Sequence, residues 1–158
     1  MATADPFLGT DLAVLPNMVA HDASEVDLVV RSRPIRGRLA RADAKEALDL
    51  GLIEGRNNLA QAMILRLLTP RGALRDLGHA AYGSRLHELI GQPKNSSTRN
   101  RCRVFVLEAV AQEPRVEPKA VALSFDPEAE TSSSFVFTLI VQPRAGGEPV
   151  SLSLEVGL

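Results

Sequence analysis

At Gln112-Glu113-Pro114-Arg115-Val116 the hydrophobic periodicity of the chain changes from helical to extended, and that single switch fixes the order of its layers. Before it, Cys102, Phe105, Val106, Ala109 and Val110 recur at the spacing of one helix face, over a helix that begins near Ser96 or Ser97 and ends about Ala111. After it the period is two. Val121, Leu123 and Phe125 recur at every second position, then Phe135, Phe137, Leu139 and Val141, then, most cleanly, Val150, Leu152, Leu154 and Val156. Pro114 enforces the break, because it cannot continue a helix and disfavours helical backbone at Glu113. Turn-rich segments at 126–134 and 143–149 separate the strands, so they should form an antiparallel meander. Helices followed by strands predict an α+β fold: two to three helices on one face of a three-stranded antiparallel meander, behind an extended N-terminal arm.

Upstream, Leu59–Leu68 is apolar except for Gln61 and Arg66, as in a helix surrounded by core, and Asn57 or Asn58 is the expected N-cap. Thr69-Pro70-Arg71-Gly72 ends it. Ser84 is placed to cap a short helix that turns Leu86, Leu89 and Ile90 to one side, and Gly91-Gln92-Pro93 stops that helix.

Residues 1–55 lack sustained periodicity and carry a net charge of −3, against +2 for residues 56–158. They hold two short apolar pieces, 11–15 and 26–30, and an arginine run at Arg31, Arg33, Arg36, Arg38 and Arg41. An extended or hairpin arm over 1–55, ahead of a folded domain over 56–158, is the expected organisation. The acidic start MATADPFLGTDLAVL lacks the basic and long apolar regions of a secretion signal, which makes the cytoplasm the expected compartment. No apolar run approaches the roughly 18 residues of a membrane span.

Net charge of −1 and 4% aromatic residues give neither the basic field nor the stacking platforms that nucleic acid requires. Acids dilute the arginine run at 31–41, which reads as a solvated arm or as a dock for an acidic protein. His21, His79 and His87 are scattered, without metal-ligand spacing. Cys102, the single cysteine, sits on an apolar helix face and should be a buried, inert thiol. No nucleophile elbow, phosphate loop or dinucleotide fingerprint occurs. Glu88, Glu108 and Glu113 are the carboxylates a glycosidase would draw on, yet their spacing pairs no two of them. No catalytic residue, cofactor or metal is therefore expected.

Arg99, Arg101 and Arg103 lie in the first two turns of their helix, where cations oppose the helix dipole by about 0.3–1 kcal/mol each. Exposed arginines kept at that cost point to an acidic partner. At the joint, Glu113 and Arg115 flank a rigid proline; the residues are compatible with plain punctuation or with a contact surface that presents both charges outward.

Four segments together resemble a known family: LAQAMILRLLTPRGAL, YGSRLHELIGQP, a helix ending in EPRV, and the three-stranded sheet. The family is that of the lysozyme-like baseplate wedge proteins, or sheath initiators, of contractile phage tails, type VI secretion baseplates and extracellular contractile injection systems. The resemblance spans about residues 56–158. It implies a structural, non-enzymatic subunit present in multiple copies, six in the expected arrangement, whose partners are wedge subunits and the sheath protein, with inner tube or hub proteins as further candidates. It also implies that Glu113, Pro114 and Arg115 contact the wedge core bundle, with Glu113 and Arg115 partly exposed. Tyr82, Gly83 and Ser84 would be structural. The sheet would template the first sheath ring, with Val150, Leu152, Leu154 and Val156 marking the docking strand. Such a subunit would be assembled in the cytoplasm and end in the particle. Two alternatives stay open, a small polysaccharide hydrolase, as the family's older name suggests, and an unrelated α+β adaptor.

Overall fold

The computed structural model describes residues 8–14, 30–34 and 46–158. Its architecture is α+β. Strands β1 (Thr10–Leu12), β2 (Val30–Pro34), β3 (Glu46–Leu50) and β4 (Leu52–Glu54) precede helix α1 (Gly55–Leu68) and helix α2 (Ser96–Ala111). Strands β5 (Val116–Phe125), β6 (Ser134–Pro143) and β7 (Val150–Gly157) follow, in the antiparallel order β5-β6-β7. β1 pairs with β4 and β2 with β3 as separate two-stranded ribbons. The rest of the arginine run, Arg36, Arg38 and Arg41, lies outside the described residues, as do 1–7, 15–29 and His21.

The expected alternation sets the core. Phe135, Phe137, Leu139 and Val141 of β6 and Val150, Leu152 and Leu154 of β7 point to one face and are buried. Leu59, Met63, Ile64 and Leu67 of α1 pack there, with Cys102, Phe105, Val106, Ala109 and Val110 of α2. Fully burying a Val, Leu, Ile, Phe or Met side chain contributes roughly 1.5–3 kcal/mol. Burial also pushes the Cys102 thiol up to about 12, which leaves it protonated at neutral pH.

Three local expectations need correction. Helix α1 starts at Gly55 with Glu54 as N-cap, because β4 runs directly into it. Asn58 instead turns inward and donates to the Leu8 carbonyl (2.9 Å), while the expected cap at Asn57 does not form. The segment after Ser84 is a 3-10 helix, Leu86–Leu89, and not an α-helix. At three residues per turn, Leu86 and Leu89 share a face but the next residue rotates off it, so Ile90 is 69% exposed.

The arm also reaches the core. Leu8 is buried in the main cluster, and Gln61, buried in α1 like Asn58, clamps the arm's backbone. Its side chain donates to Leu12 O (2.8 Å) and accepts from Val14 N (2.8 Å). A carboxamide used this way satisfies two main-chain groups of the arm that have no sheet neighbour among the described residues.

Candidate functional site

Helix α2 ends in a tight exit. Glu113 N bonds Val110 O (3.0 Å), and Val116 N bonds Glu113 O (3.1 Å), closing a turn over Pro114 and Arg115. Arg144 N bonds Arg115 O (2.8 Å), tying the turn to the far end of β6. Glu113 thereby points back under its own helix. Its Oε1 accepts from Arg115 Nε (2.6 Å) and from Arg115 N (3.3 Å), and its Oε2 faces Arg66 at 3.5 Å.

This carboxylate is buried: the Glu113 side chain is 4% exposed, that of Arg66 11% and that of Arg115 26%. Burial pushes its pKa up, but the hydrogen bond and charge of Arg115, its backbone N–H and the Arg66 charge outweigh that and hold the carboxyl below its ordinary value. The Arg66 guanidinium stacks over the Tyr82 ring, 4.5 Å from its centroid, and its Nε makes no hydrogen bond. Arg115 also donates through Nη1 to the Leu8 carbonyl (3.1 Å), so one guanidinium joins the turn to the arm.

The expectation of an outward Glu113–Arg115 pair is therefore corrected. Glu113 is internal, because two arginines and a backbone N–H inside the chain satisfy it better than water held at a turn. Only Pro114 and part of Arg115 face outward, beside a cavity of about 450 Å³ lined by Leu8, Pro114, Arg115, Arg144 and Ala145. Arg66 was absent from the expected site residues. The signal was present: a lone arginine in an otherwise apolar helix must find a carboxylate.

The Tyr-Gly-Ser stretch supports this hub. Ser84 N bonds Thr69 O (2.8 Å), Arg71 N bonds Ser84 O (2.7 Å), and Ser84 Oγ donates to Leu67 O (2.6 Å). Gly83, at φ +105°, lets the two backbones approach, since a Cβ there would lie 2.5 Å from Thr69 O. The close approach sets Tyr82 over Arg66.

Of the three arginines at the start of α2, Arg99 also finds an internal partner, which corrects its assignment to an external one. Its Nη2 donates to Glu130 Oε2 (2.6 Å), and Lys94 reaches the same atom at 3.0 Å. Glu130, in the β5–β6 turn, is 2% exposed at its side chain, and this buried counter-charge offsets the unfavourable dipole position. Arg101 and Arg103 are exposed and form no ion pair among the described residues.

The last strand divides its groups between core and solvent. Leu158 N bonds Ser133 O (2.8 Å), so that opposed pair is hydrogen-bonded. Pairs alternate along an antiparallel ladder. Val150, Leu152, Leu154 and Val156 therefore bond β6, whereas Ser151, Ser153 and Glu155 turn their N–H and C=O toward the free edge. On the other side of β6, Asp126 N to Val136 O (2.9 Å) gives the same parity. The side chains of Val150, Leu152 and Leu154 are buried in this chain's own core, and Val156 is partly so. The four residues that mark the expected docking strand thus face inward and bond β6, and the edge open for pairing is the backbone of the intervening residues. β5, the opposite edge, carries Pro118 and Lys119, and its register shifts between Val116 and Val121. Among the described residues no group of three His, Cys, Asp or Glu side chains is placed to hold a metal ion, and no helix is long and apolar enough to cross a membrane.

No protein-family model matches the chain, and no curated protein matches it. Among solved structures, the crystal structure of a Geobacter sulfurreducens protein described as a "putative tail lysozyme" superposes with a TM-score of 0.54 at 19% identity, covering 65% of this chain and 89% of that one. At that identity the likeness establishes a shared α+β fold.

Proposed function

We propose that this chain is a structural baseplate subunit of a contractile injection machine, which joins the wedge to the sheath by accepting a sheath strand on the β7 edge. The observation that carries the reading is the asymmetry of the sheet. Eight residues of β7 run without proline or lysine and point the backbone of Ser151, Ser153 and Glu155 outward, while β5 is guarded. The fold shared with the structure described as a "putative tail lysozyme" and the four-segment resemblance support the same assignment. In this reading Pro114, Arg115 and the adjoining cavity face the wedge core bundle, Glu113 positions Arg115 from beneath, and the subunit assembles in the cytoplasm in six copies before entering the particle.

Ser153→Pro tests it. The substitution removes an outward N–H and no β6 ladder bond, so the purified variant should melt within a few degrees of the parent. It should yield baseplates and inner tubes without sheath by negative-stain microscopy. Leu152→Pro, one residue away, removes a β6 bond and should cost about 3 kcal/mol or more of stability. Full-length sheaths on Ser153→Pro would place initiation elsewhere.

The neighbour's printed name keeps hydrolysis as a second reading. A glycosidase acid needs a raised pKa. Here Glu113 is held low between two arginines, the hydrogen bond from Arg85 holds Glu88 low, and Glu108 lies 3.8 Å from Arg85. Purified protein is expected to leave peptidoglycan intact; turnover abolished by Glu113→Gln would reverse the assignment.

A further inference from the structure

The face of α2 turned away from the core is uncharged along its centre. At 100° per residue, Asn100, Val104, Leu107 and Ala111 fall within about 60° of one another, opposite the buried Cys102–Val106–Ala109 face. All four are exposed; Val104 is 50% and Leu107 38% accessible. Their spacing of four, three and four is that of a coiled-coil seam, and an asparagine at such a position is the residue type that fixes register. Arg103 borders the stripe on one side and Arg101 on the other. Each guanidinium folds over an aromatic ring, Arg101 over Phe105 and Arg103 over Phe125, and neither has an ion-pair partner among the described residues. Toward the C-terminal end the border is Glu108, which already faces Arg85.

We propose that this face of α2 docks an amphipathic α-helix of another protein, with apolar residues at heptad spacing and carboxylates beside the N-terminal half of α2. The stripe is narrow, suited to one crossing helix and too narrow for a sheet. The charge pattern selects acid: two arginines with no ion-pair partner among the described residues border the seam, whereas Glu108 on the negative border already faces Arg85. Asn100 sets the one polar layer. The proposal does not depend on strand addition at β7, which lies on a different element.

The test is titration of the 15N-labelled full chain with a synthetic peptide of about three heptads carrying Leu at a and d and Glu at e and g. Its like charges keep it from pairing with itself. A companion peptide with Lys at e and g isolates apolar attraction. The acidic peptide should give saturable shifts confined to residues 100–111, and the basic one should bind at least roughly tenfold more weakly. Leu107→Asp should weaken the acidic peptide by about tenfold or more, and joint Arg101→Glu and Arg103→Glu should reverse the preference. These positions are exposed, so the variants should keep the parent's fold, with shifts of their own confined to α2 and to the Phe105 and Phe125 rings that the two arginines cover. Equal binding of both peptides, binding of neither, or shifts on another element overturns the proposal. Self-association abolished by Leu107→Asp also overturns it, by giving the face to a second copy. Ser153→Pro should bind the acidic peptide as the parent does, which separates this result from the fate of the β7 edge.

Discussion

Gly83→Ala is expected to lower the unfolding free energy by roughly 3 kcal/mol, read as a shift of the urea midpoint at unchanged slope. Two effects combine. The backbone is at φ +105°, which an L side chain rarely adopts, and a Cβ would meet Thr69 O at 2.5 Å, Pro70 O at 2.9 Å and Arg71 N at 3.0 Å. These are main-chain atoms pinned by hydrogen bonds, Thr69 O and Arg71 N to Ser84 and Pro70 O to Ala73 N, so they cannot withdraw as a flexible side chain would. Gly78→Ala supplies the control: φ is +84°, but nothing lies within 4 Å. It should lose only about 1 kcal/mol, the left-handed strain alone. Equal losses at the two sites would mean that the close approach at Gly83 contributes nothing.

Removing the buried carboxylate should cost more. Glu113→Ala leaves the Arg66 guanidinium uncompensated at 11% side-chain exposure, and breaking such a pair typically costs about 3–5 kcal/mol. Adding Arg66→Met should restore a substantial part of the loss, because the penalty belongs to the orphaned charge and not to missing volume. If the double variant is less stable than Glu113→Ala, Arg66 is held by something other than this pair. Acid should act through the same group. Its folded pKa lies below its ordinary 4.5, so the unfolded chain binds the proton more readily. The stabilisation is complete above about pH 4.5 and is lost as pH falls through the depressed folded value. Glu113→Gln should lack this acid-dependent component. Arg115→Glu, a change that an outward pair would tolerate, should instead destabilise the fold by setting two carboxylates together.

The layer order was legible because period is a local property. Pro114 and the alternation from Val121 to Val156 state it without reference to any distant residue. The limits of α2 were legible too, from the serines at its start and Pro114 after its end; Asn95, whose side chain accepts from Thr98 N, is the cap that the structure adds. The hub was not legible in the same way. Arg66, Tyr82 and Glu113 sit on three separate elements, and nothing local states that they meet. Polarity at Glu113-Pro114-Arg115 suggested exposure, yet a charged residue beside a helix end is equally suited to neutralise a cation beneath it. Leu8 shows the same limit from the other side: a single apolar residue without periodicity carries no sequence signal, although it completes the core. Arg99 looked like an unfavourable cation until Glu130 arrived from the loop after β5.

Under the strand addition proposed for β7, the unequal edges of the sheet would give this chain a valence of one. A strand donated to β7 finds a regular row of free backbone groups, whereas the bulge and Pro118 of β5 refuse a second donor. Such a module can begin a row of strands but cannot be inserted into the middle of one, and cannot propagate with copies of itself through both sides. On that proposal the number of rows started would be set by the number of these chains present, with no separate device needed to stop them from growing backwards.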